Sequence, residues 1–169
     1  LRYQKEIYLF SRRMYFCRKD LAMIRFFSNE IDFKIASPSK VKQWILNLIN
    51  NYGYKAGNLN VIFCSDDYLL QINKEFLQHD YYTDIITFDY TEGDILSGEL
   101  YISIDSVLAN AQEYNQPQAR ELMRVVIHGF LHLMGFDDHT EEEQQIMHAK
   151  EDQALELFDF NSFKQSFSI

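Results

Sequence analysis

Apolar positions along the chain switch between a period near two and a period near 3.6, and the switches mark out its elements. Met23 to Ser28 (MIRFFS) is a short apolar run that predicts a first strand. Pro38 follows Ser37, a residue suited to an N-cap, and opens a helix. Val41, Trp44, Ile45, Leu48 and Ile49 recur there at helical spacing, and Gly53 falls beyond its end. Leu59 to Cys64 alternates and predicts a second strand. Ser65 and Asp66 cap a short helix whose inward positions are Leu69, Leu70, Ile72 and Phe76. Asp84 to Tyr90 (DIITFDY) and Gly98 to Ser103 (GELYIS) predict two more strands. The short turn between them contains Gly93, so they should form an antiparallel hairpin. Ile104 to Tyr114 reads as a helix capped by Asp105, with Val107, Leu108 and Ala111 inward. Pro117 starts a further helix, in which Leu122, Val125, Val126, Phe130, Leu133 and Met134 form the buried stripe. Thr140 followed by Glu143 is a capping-box pattern for a last helix from about Glu141 to Leu157. Phe158 to Ile169 is left as a C-terminal tail.

The order β, α, β, α, β, β, α, α, α predicts an α+β fold. Its expected architecture is a single mixed four-stranded sheet packed with about five helices. The 169 residues suit one domain, and 47% hydrophobic with 15% aromatic residues is a globular composition. No apolar run approaches the ~20 residues that a membrane helix needs. Cys17 and Cys64 form no CxxC pattern, which argues against a disulfide framework and against a cysteine zinc site. A reducing, cytoplasmic setting fits. Leu1 to Ala22 is basic and has no continuous apolar core, so it does not read as a signal peptide. It is expected to be an extension outside the core, with an extra helix or an RNA-binding arm as alternatives.

The chemistry lies in VIHGFLHLMGFDDH, Val126 to His139. His128 and His132 stand four apart on a predicted helix, so both imidazoles share a face and can reach one metal ion at ~2.0–2.1 Å. Gly135 can close the helix in the left-handed region. The chain can then double back and offer Asp138 or His139 as a third ligand. The competing reading is two core histidines, each satisfied by one hydrogen bond. The spacing also resembles the zincin helix. There a Glu follows the first His as general base, whereas here Gly129 does, so a protease lacks its base.

HGFLHLMGFDDHTEEEQQIMHAKED resembles the closing signature of the YbeY family, metal-dependent endoribonucleases of ribosomal RNA maturation. INKEFLQHDYYTDIITFDY, Ile72 to Tyr90, is similar to that family's second block. The resemblance covers about Met23 to Leu157. It implies a metal-bound hydrolase domain over 23–157, with the ligand-bearing helix in the C-terminal half. It also places the third ligand six residues after the second, which is Asp138, with His139 reached only through a one-residue bulge. A ligand set of two His and one carboxylate suits one Zn²⁺ per chain and makes Mn²⁺ or Fe²⁺ more plausible beside it. Asp84 in the second block is a candidate catalytic residue, against a structural role tying loop amides. Asp137 is either an orienting acid for an imidazole or a solvated turn acid. His79 and Asp80 lie in a polar loop that can line the cleft, and His148 reads as surface.

The family's second block usually carries an Arg after an aromatic residue and a Pro before Thr-Asp. Here Leu77 follows Phe76, and Tyr82 precedes Thr83-Asp84. Lys74, one turn away, is a weak substitute. From Glu75 to Glu121 the only Lys or Arg is Arg120. The net charge is −9, with +4 in Leu1 to Ala22 and −13 in the rest. Such a balance disfavours broad capture of phosphate backbones. Two functions follow. One is a single-strand endoribonuclease acting on precursor ribosomal RNA, in late small-subunit processing and ribosome quality control. The other is a non-catalytic assembly factor with a structural metal, bound to the small subunit or one of its basic proteins. Neither needs a membrane, and oligomeric state is not legible.

Overall fold

The computed structural model describes residues 23–167, so the basic segment 1–22 lies outside the described residues, as do 168 and 169. The sheet has four strands: β1 (Met23–Ser28), β2 (Lys55–Cys64), β3 (Ile85–Asp89) and β4 (Ile95–Ser103). Their spatial order is β1-β2-β4-β3. β1 and β4 run parallel to β2, and β3 pairs antiparallel with β4, Ile86 opposite Tyr101. The described residues include five α-helices: α1 (Pro38–Asn51), α2 (Asp66–Ile72), α3 (Ile104–Glu113), α4 (Gln118–Leu133) and α5 (Glu141–Glu156). This is the expected α+β architecture with one mixed sheet.

The main core lies on one sheet face. Leu59, Val61, Phe63, Leu96, Leu100 and Ile102 meet the apolar stripes of α1 and α4 there. A smaller cluster of Cys64, Leu69, Ile72 and Ile86 seals α2 against the opposite face. α4 carries the longest buried stripe, from Leu122 through Leu133. It sits so close to the sheet that a Cβ on Gly129 would come within 2.6 Å of Leu100 Cδ2 and 2.5 Å of Ile85 Cδ1. The position that holds a base in zincins therefore faces the sheet. The segment after Leu157 packs as well, with Phe158 and Phe163 buried in the core cluster.

Four local expectations are corrected. Ser37 precedes α1 in the left-handed region, with φ 45°, and makes no side-chain cap. β2 begins four residues early, because Lys55 and Ala56 pair with Ile95 and Leu96 before an irregularity that ends at Leu59. Ser103, not Asp105, caps α3 by accepting from the Ser106 amide, while Asp105 accepts from the Asp66 amide. Leu70 is only half-buried, and Phe76 is 38% exposed. α2 stops at Ile72, and a π-helical turn from Asn73 to Leu77 rotates the Phe76 ring out against Phe88.

Candidate metal centre

α4 delivers both imidazoles, and each is oriented through Nδ1. His132 Nδ1 lies 2.8 Å from the Phe136 carbonyl oxygen. A carbonyl only accepts, so that nitrogen carries the hydrogen and Nε2 keeps its lone pair. His128 Nδ1 lies 2.7 Å from Glu151 Oε1, which sets the same tautomer. The two Nε2 atoms then face each other at 2.9 Å. Two lone pairs at that separation repel unless a proton or a cation lies between them. This donor set therefore fits a metal ion.

The third donor arrives through the helix end. Gly135 has φ 86°, its amide donates to the His132 carbonyl, and the Phe136 amide donates to the Leu131 carbonyl. These are the paired bonds of a Schellman stop, which reverses the chain toward the imidazoles. Asp138 Oδ2 lies 3.7 Å from His128 Nε2 and 3.9 Å from His132 Nε2. Donor atoms of His128, His132 and Asp138 all lie within 4.8 Å of one another. His139 is exposed on the groove that these residues line and is not a member of that cluster. Asp137 is also exposed on the groove, and its charge acts on His132.

Behind the imidazoles lies a buried ionic layer that sequence reasoning missed. Glu151 is 2% exposed. Its Oε2 accepts from Arg124 Nη1 at 2.9 Å and stands 3.3 Å from His148 Nδ1. Arg124 also reaches Asp152 at 3.1 Å, and the equally buried Glu121 stands 3.6 Å away. The signal was available: Met147, Glu151, Ala154 and Leu155 occupy one inward stripe of α5, so Glu151 stands where an apolar residue belongs. His148 itself is 69% exposed, as a surface residue should be.

Protonation follows this arrangement. Burial alone would lower the His128 pKa, but the Glu151 hydrogen bond and charge, helped by Asp84 and Asp138, hold it above the ordinary imidazole value. Burial and the neighbouring His128 charge push His132 down. Glu151 resists burial and stays below the usual carboxylate range through its bonds from His128 and Arg124. Burial raises the Asp84 carboxyl, although Asn110 donates to it at 3.2 Å. Asp84 and His128 both line two adjoining pockets, each of about 530–540 Å³.

Among the described residues, the pocket holding the three candidate donors also contains Leu77, His79 and Tyr81, and its lining includes no Lys or Arg. Lys74 does not supply the missing cation, because its Nζ is paired with Asp80 at 2.7 Å.

A family model described as Endoribonuclease YbeY matches residues 24–159. Over 114 residues the chain is 54% identical to the Endoribonuclease YbeY of Phocaeicola vulgatus, covering 68% of this chain and 83% of that protein. Over 134 residues it is 44% identical to the one from Parabacteroides distasonis, covering 79% of this chain and 94% of that protein. Its fold is similar to a Thermotoga maritima protein solved in solution, with TM-score 0.58 and 30% identity over 79% of this chain and 87% of that one.

Proposed function

The chain belongs to the YbeY endoribonuclease family, and from that premise we propose that it is a metal-dependent hydrolase cleaving single-stranded RNA during ribosomal RNA maturation. The observation that carries this reading is the convergence of two Nε2 nitrogens and one carboxylate oxygen beside an open groove. His128, His132 and Asp138 hold the ion, with His139 as the alternative third ligand. One Zn²⁺ per chain suits the donors, and the carboxylate also admits Mn²⁺ or Fe²⁺. When bound, such an ion lowers the pKa of a coordinated water and polarises a phosphoryl oxygen.

The chain's own residues supply the rest. Glu151 and the Phe136 carbonyl fix the two ring orientations and tautomers. Asp84, a carboxyl of raised pKa at the junction of the two pockets, is placed to take up or return a proton. Leu77 leaves the phosphate without a guanidinium partner, so turnover should be modest. The substrate in this reading is precursor ribosomal RNA. The setting is late small-subunit processing and ribosome quality control in the cytoplasm. No helix among the described residues is long and apolar enough to cross a membrane.

Zinc-loaded chain should cleave a single-stranded ribosomal RNA fragment in preference to a duplex, and His132→Ala should abolish the cleavage. Cleavage retained in that variant would overturn the assignment. The net charge, and a groove whose described lining has no Lys or Arg, favour one rival: a non-catalytic assembly factor with a structural metal, bound to the small subunit or one of its basic proteins. That rival requires function and small-subunit co-purification to survive His128→Ala.

A further inference from the structure

Among the described residues no Lys or Arg lines the groove wall, so an RNA strand there must be held by something other than a side-chain cation of that lining. In the same groove as the candidate metal donors, the rings of His79 and Tyr81 stack with centroids 5.1 Å apart and planes 22° from parallel. The Tyr81 hydroxyl meets His79 Nδ1 at 3.1 Å, which locks the two rings as a unit. Both are exposed, Tyr81 to 58%, and both line the same groove as His128, His132 and Asp138.

Their backbone is fixed from behind. Asn73, 2% exposed, donates from Nδ2 to the Tyr81 carbonyl at 2.8 Å, and its own carbonyl accepts from the His79 amide at 3.2 Å. Gln78 closes the π-helical turn in the left-handed region, and the Lys74–Asp80 ion pair braces the outside of the loop. The buried Asn73 thus ties the loop twice, through its side-chain amide and its backbone carbonyl, while the aromatic rings are exposed. Exposed rings on a rigid loop offer a flat surface that requires little ordering when something stacks on it.

We propose that the Tyr81–His79 pair is a base-stacking platform that seats an unpaired nucleotide of the RNA strand beside the metal-ligand cluster. Every base has a π-face, so such a platform is tolerant of sequence and needs no charge. It holds a strand without a cation and selects single strands, because bases inside a duplex present no free face. The platform rests on the endoribonuclease reading of the groove.

The test is binding of the full chain to a short fluorescein-labelled oligoadenylate, compared with an abasic strand of equal length. The parent chain should bind oligoadenylate at least about tenfold more tightly than the abasic strand, and Tyr81→Ala should lose about tenfold. Tyr81→Phe should bind within about twofold of the parent, because it keeps the stacking face. The advantage of oligoadenylate over the abasic strand should stay constant as salt is raised, because stacking involves no charge. Tyr81 contributes its backbone rather than its ring to the loop clamp, so the Ala variant should keep the parent melting temperature. Equal affinity of Tyr81→Ala and parent, or equal binding of the abasic strand, overturns the platform and leaves the nuclease reading standing. Absence of any RNA binding by the parent chain overturns both.

Discussion

Glu151 Oε1 lies 2.7 Å from His128 Nδ1, and Arg124 Nη1 holds the other carboxylate oxygen at 2.9 Å. The carboxylate both fixes the imidazole and offsets a half-buried guanidinium. Glu151→Gln keeps the shape and removes the charge, so zinc affinity should fall about 10–100-fold, read by chelator competition. Glu151→Ala should cost more in stability, about 2 kcal/mol, because Arg124 loses its shortest carboxylate contact and keeps only the longer ones to Asp152 and Glu121. Parent-like zinc affinity in the Gln variant would remove Glu151 from the site.

Gly129 carries no side chain because Ile85 and Leu100 occupy the space. Gly129→Val should lower stability by about 2–3 kcal/mol in denaturant titration. The same contact explains why this ligand helix lacks the zincin base: a Glu here would bury its charge against β3 and β4. Leu100→Ala should relieve part of the Val penalty in a double-mutant cycle. Additive losses would mean that the contact with Leu100 is not the cause.

Charge on His128 makes metal binding and the His128–Glu151 contribution to apo stability move oppositely with pH, whereas the lowered His132 value contributes stability in the other direction. His128 is held above its ordinary value of 6.5, chiefly by Glu151 acting against burial. In chelator-treated chain, the His128–Glu151 pair therefore contributes fully below about pH 6.5, down to where Glu151 protonates. It fades as pH rises through the elevated His128 value. Zinc needs both rings deprotonated. The rise in melting temperature on adding zinc should thus be larger at about pH 8 than at about pH 6. A larger rise at the lower pH would contradict the imidazole ligands.

Helix α4 was legible because it combines a continuous apolar stripe from Leu122 to Met134, two polar rings four apart, and a glycine stop. The strand order was not: β2 lies between β1 and β4, a long-range pairing that no local pattern encodes. Lys55 to Asn58 hid a strand start behind Gly57 and Asn58, residues that rarely favour strands. Glu151 was masked by its surroundings, an acidic helix that begins Glu141-Glu142-Glu143, where one more Glu looks solvated. Asp105 and Ser103 stand together at the start of α3, and only the cross-link from Asp105 to the Asp66 amide separates their roles.

The central claim is that three side chains converge on one cation. Chain purified without chelator should carry one metal ion per polypeptide by elemental mass spectrometry. The His128→Ala, His132→Ala and Asp138→Ala variants should each fall well below that while keeping the parent circular dichroism. Full occupancy in all three variants, or no metal in the parent after incubation with zinc, would contradict the account.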